Sequence, residues 1–177
     1  MKKTVLAGLV AVVGLQTAVL AGEYLGAMYP LWTGEPIQLK TVPYDPRSLF
    51  RGNYARLRYE ISDIPVADLG ARGRIRGGEV VYVRLTPAEN GVYEYAGASL
   101  TRPESGVFLR GRTDHARRWR WDDSERLHVR YGIEAYFAPK QKALELEDRL
   151  RQGGIAEIMV AGNGKATLTA VVEAFRE

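Results

Sequence analysis

Two short stretches of this 177-residue chain hold most of the side chains that could do chemistry. The first, "PYDPRSLFRGNYARLRY", supplies Asp45, Arg47, Ser48, Arg51, Asn53, Tyr54 and Tyr59. The second, "RYGIEAYF", supplies Tyr131, Glu134 and Tyr136. Carboxylates among arginines can form charge-assisted, often bidentate pairs that fix geometry more reliably than they add stability. If the two segments are neighbours in a sheet, Glu134 can pair with Arg47 or Arg51 and lock one segment onto the other. The same residues could instead line a polar ligand pocket, or serve a hydrolase that uses Asp45, Arg47, Ser48 and Glu134. The lock is the favoured reading.

Several chemistries are excluded by residue type and spacing. The chain has no cysteine, so thiolate and disulfide chemistry are absent. Its two histidines, His115 and His128, lack the close helical spacing of a zinc motif, and no metal or other cofactor is expected. "GKATLT" lacks the upstream half of a phosphate loop, and no Gly-x-Ser-x-Gly elbow occurs. A serine–lysine dyad at Ser48 has no lysine placed to complete it.

The strongest charge feature is "LRGRTDHARRWRWDD", a basic patch comprising Arg110, Arg112, Arg117, Arg118 and Arg120 beside Trp119 and Trp121. Arginine interleaved with tryptophan can contact phosphates and stack on bases, but a domain outside the cytoplasm meets no nucleic acid. Anionic lipid or an acidic protein would suit the patch better. A solvated hairpin loop, partly neutralised by Asp122 and Asp123, is the simpler account.

The elements that must position these residues are mostly strands. "IQLKTV" reads as the first. Asp45-Pro46 and Gly52 bracket a single helical turn. "NYARLRYEI" alternates, with Ala55, Leu57, Tyr59 and Ile61 on one face and Tyr54, Arg56, Arg58 and Glu60 on the other. "VVYVRL", "VYEYAGASL", "VFLRGRT" and "RLHVRYG" continue the pattern, and "TPAENG" is a turn. "PKQKALELEDRLRQGG" predicts one helix over about 139–152, and the chain closes as a hairpin turning at Gly162-Asn163-Gly164. The expected fold is mainly β: an antiparallel, curled or barrel-like sheet of seven to nine strands, with one helix in its C-terminal half.

At the other end, Thr4 to Gly22 form 19 uncharged residues. As a helix this run spans ~28 Å, close to the hydrocarbon thickness of a bilayer. Lys2 and Lys3 precede it, which by the positive-inside bias places the N-terminus in the cytoplasm and the remainder outside. A cleaved signal peptide ending at "VLA" is the alternative. The length of the run, its continuation through "EYLGAMY" to Pro30, and the aromatics Tyr24, Tyr29 and Trp32 favour a retained anchor. The chain then divides into 1–29, the cytoplasmic tip and spanning helix, and 30–177, an extracytoplasmic domain.

These residues resemble the bacterial GDYXXLXY proteins. The signature reads Gly52, Asn53, Tyr54, Leu57 and Tyr59; "PYDPRSLFRG" and "RYGIEAYFAP" resemble two further blocks, in the same order. The resemblance implies a membrane-anchored factor associated with a polytopic membrane protein, and brings no reaction or ligand. Asn53 stands where the signature has aspartate, which keeps shape and one acceptor but loses the charge. Lys140-Gln141 stand where Glu-Gly is usual. Both departures favour a structural or binding role over catalysis.

Overall fold

The computed structural model describes residues 2–42, 54–70, 75–114, 126–137 and 153–173. It opens with a long helix, α1 (Lys2–Thr33), apolar around its whole circumference through the first two thirds, as a helix surrounded by lipid must be. The helix continues three residues past Pro30 rather than ending there. Proline has no N–H, so the carbonyl of Gly26, four residues earlier, loses its helical donor. Lys165 Nζ donates to that carbonyl at 2.6 Å. A side chain from the far end of the sequence thus takes the hydrogen bond that the proline gives up. Pro30 itself is fully buried where α1 meets the β domain.

Gly34 alone separates α1 from the first strand. Its N–H closes the last helical turn on Pro30 O at 2.9 Å. A Cβ there would stand 2.4 Å from that same oxygen and 2.9 Å from the backbone of Val160. Only glycine lets the helix end come so close to the sheet.

The strands are β1 (Glu35–Thr41), β2 (Tyr54–Arg56), β3 (Asp63–Pro65), β4 (Val80–Pro87), β5 (Val92–Ser99), β6 (Phe108–Thr113), β7 (Arg126–Arg130), β8 (Ala135–Phe137), β9 (Gly154–Val160) and β10 (Ala166–Glu173). Eight make one sheet in the order β10-β9-β1-β5-β4-β6-β7-β3, and β2 pairs with β8 separately. Every pairing is antiparallel except β1 with β5. The sheet curls enough for Thr41, at the end of β1, to bridge to Tyr59 beyond β2. Inward-facing residues at period two fill the core, among them Ile37 and Leu39, Val81 and Val83, and Ile158.

The mainly-β, curled architecture after one apolar helix agrees with the sequence reading, and three details differ. The described residues hold ten strands, not seven to nine, because the three-residue β3 and β8 are too short for alternation to mark. The segment "NYARLRYEI" differs too. That segment is not one strand: β2 stops at Arg56, and a 3₁₀ turn covers Glu60–Ser62. Leu57, Tyr59 and Ile61 are still buried together. Tyr59 N–H reaches Ser62 Oγ and Ser62 N–H reaches Tyr59 O, so the backbone turns instead of extending. The third difference is the parallel β1–β5 pair. The helix expected over 139–152 lies outside the described residues.

Candidate functional site

Of the residues singled out in the sequence, the structure brings together Tyr59, Tyr131 and Glu134. β2 and β8 pair Tyr54 with Phe137, Ala55 with Tyr136 and Arg56 with Ala135. The next backbone bond, Leu57 N to Glu134 O at 2.8 Å, extends the contact toward the core. Two tyrosines then cross in opposite directions. Tyr59, fully buried, donates its hydroxyl to Ile133 O at 2.6 Å; Tyr131 donates its own to Ile61 O at 2.6 Å. Each segment therefore supplies a phenol to the other's backbone, which satisfies both polar ends inside an apolar core.

Among the described residues, Glu134 serves its own turn, and its expected pairing with Arg47 or Arg51 lies outside them. Its carboxylate accepts from Tyr131 N–H at 2.5 Å and Gly132 N–H at 2.9 Å. The charge has a further effect. Burial pushes the Tyr59 and Tyr131 phenols far above their usual range, and the nearby Glu134 carboxylate adds to the rise in both. Both tyrosines are thus held as neutral donors, suited to fixing backbone and unsuited to accepting a proton. Tyr136 packs half-buried against the core.

Asp45, Arg47, Ser48, Arg51 and Asn53 lie outside the described residues, as do Arg117, Arg118 and Arg120. Tyr54 is placed by its backbone in β2. Arg110 and Arg112 are exposed on β6, where the Arg112 guanidinium donates to Gly78 O at 2.8 Å. Among the described residues no group of three or more acidic, histidine or cysteine side chains could hold a metal ion. An open groove of about 430 Å³ lies at the α1–β1 junction, lined in part by Thr33, Gly34, Glu35, Phe108 and Gly162. Its lining includes none of the described candidate residues Tyr59, Tyr131, Glu134 or Tyr136.

Sequence reasoning missed a second polar cluster, centred on Asp63. Its carboxylate is bonded by Arg58 and lies 2.8 Å from His128 Nδ1, while Arg126 donates to the Asp63 backbone oxygen at 2.6 Å. Asp63 faces His128 directly in the β3–β7 register. By alternation Arg58 and His128 both fall on the outward faces of their segments. Opposite charge potential on two alternating segments was the available signal. Partial burial works to raise the Asp63 pKa, but the hydrogen bonds and charges of His128 and Arg58 outweigh it and hold the carboxyl below its usual value. A folded-state pKa below the unfolded one stabilises the fold above the ordinary carboxylate range. That stabilisation is lost as pH falls from about 4 through the folded value. In acid titrations followed by circular dichroism, Asp63→Asn is expected to start less stable at pH 7 and to lose less stability than wild type below about pH 4. Parallel acid limbs would contradict this.

No curated protein and no solved structure matches the chain. The two segments that the tyrosines tie together are the sequence blocks noted above, and the comparison with protein families agrees with them: over residues 16–171 the chain matches, and belongs to, the GDYXXLXY protein family.

Proposed function

We propose that this protein is a single-span, membrane-anchored factor whose β domain stands on the extracytoplasmic face of a bacterial inner membrane and binds or stabilises a polytopic membrane protein. The observation that carries this reading is the junction: α1 passes into β1 through one glycine, and Lys165 fastens the β9–β10 turn to the helix. A domain held this way is presented at the bilayer, where a membrane-protein surface is within reach. The flanking Lys2 and Lys3 set the orientation by the positive-inside bias.

The two family blocks act here as a lock. Among the described residues the polar groups of Tyr59, Tyr131 and Glu134 all bond to backbone, which supports a scaffold role for this region over a catalytic one. Affinity purification of the full-length protein from several mild detergents, with co-purifying proteins identified by mass, tests the partner. Recovery of one polytopic membrane protein across detergents is expected. Purification of the protein alone in every detergent would defeat the reading.

A further inference from the structure

The junction also fixes a depth. The uncharged run ends at Gly22, and Gly26 lies four residues beyond it, a rise of ~6 Å. The headgroup layer on each side of the hydrocarbon core is only about 5–7 Å thick. Lys165 Nζ, 2.6 Å from Gly26 O, therefore sits among headgroups. The turn that carries it is rigid. Ala161 N–H donates to Lys165 O, Gly164 N–H to Ala161 O, and Lys165 N–H to Asn163 Oδ1.

Two more basic residues adjoin the same turn. Arg102 donates to Gly162 O at 2.8 Å with its guanidinium over the Phe108 ring, and exposed Arg110 donates its backbone N–H to Gly164 O at 2.8 Å. Lys165 has spent one of its donors on Gly26 and Arg102 one on Gly162, which leaves N–H groups on each for other acceptors. Glu23 on α1, Glu35 on β1 and Glu104, two residues from Arg102, belong to the same segments, so the attraction of this turn for an anion rests on the N–H donors that Lys165 and Arg102 have left over rather than on an excess of charge.

We infer that the Gly162–Lys165 turn, with Arg102 and Arg110, is a docking surface for anionic phospholipid headgroups. The inference rests on α1 being the membrane anchor and is independent of which side the domain faces. It assigns the turn a role that neither the tyrosine lock nor a protein partner requires.

The chain has no cysteine, so one introduced thiol gives a unique label. Gly162 is exposed, and a Cβ there meets nothing within 4 Å. Full-length protein carrying Gly162→Cys or Val13→Cys, labelled with a fluorophore, is inserted into mixed vesicles of phosphatidylglycerol and phosphatidylcholine. One lipid at a time bears a nitroxide near the headgroup end of its acyl chain. The expected result is quenching at residue 162 that is about three- to fivefold stronger from phosphatidylglycerol than from phosphatidylcholine, about the preference that one basic side chain at an anionic surface confers. High salt, and Arg102→Glu with Lys165→Glu, should each bring the ratio toward one. Equal quenching by the two lipids, or no quenching at 162 while the Val13 label is quenched, overturns the inference alone. An unquenched Val13 label overturns the anchor itself and the inference with it.

Discussion

Tyr59→Ala is expected to destabilise the β domain by about 3–5 kcal/mol, the range for deleting a large, fully buried aromatic ring. Tyr59 has no exposed surface, and it is the point where the end of β1, the 3₁₀ turn and the Ile133 backbone meet. Tyr59→Phe separates packing from hydrogen bonding. It keeps the ring and removes the donor to a buried carbonyl, at a cost of about 1–3 kcal/mol. Tyr131→Phe should act alike, since its hydroxyl makes the reciprocal bond to Ile61 O. Because both bonds join the same two segments, the double variant is expected to depart from additivity by ~0.5 kcal/mol or more. Urea unfolding of the full-length protein in detergent, followed by tryptophan fluorescence, measures all four variants. Strict additivity with a negligible single-variant effect would show that the phenols pin nothing.

The second large effect is expected at Gly111, on β6. A Cβ there would lie 2.3 Å from Val129 Cγ1, 2.9 Å from Arg130 O and 2.9 Å from the Tyr131 ring. Val129 is fully buried and cannot swing away, and the Arg130 carbonyl is backbone. Gly111→Ala must therefore push β7 off β6, a strain of about 1–3 kcal/mol by the usual scale of overpacking. The displaced strand leads directly into Tyr131, so the tyrosine lock should loosen with it. The expected signature is a lower urea midpoint together with faster amide exchange at Tyr131 and Gly132. A midpoint within error of wild type would mean that the strands separate at no cost.

The alternating segments were legible in the sequence because burial on one face enforces period two. Val81, Val83 and Leu85 are buried and Arg84 is exposed, as the pattern requires. The terminal hairpin was legible because glycine and asparagine mark its turn, and Asn163 bonds Lys165 N–H there. The break after Arg56 was not. Leu57, Tyr59 and Ile61 point inward whether the backbone extends or turns, so side-chain alternation carries no sign of the change. The Lys165–Gly26 bond was equally hidden. It joins residues 139 apart in sequence and answers a deficit that only a helix running through Pro30 creates. The Asp63 cluster escaped because a charged residue facing outward on one strand acquires a partner only once the neighbouring strand and its register are known. At the site, the tyrosines were legible as residue types; that each reaches the other segment's backbone needed coordinates.

The single glycine between α1 and β1 has one more consequence. A flexible tether of n residues lets its cargo sweep a radius of about 5–6 Å × √n. With Gly34 as the whole connection, that radius is close to nothing. The domain cannot fish for a target some distance above the bilayer, and a membrane-borne partner meets it only by diffusing past in the same plane. Encounter is thereby reduced from three dimensions to two, with the approach angle already chosen. Lengthening the leash by inserting residues after Gly34 would trade that fixed approach for reach, and should weaken any complex that depends on it.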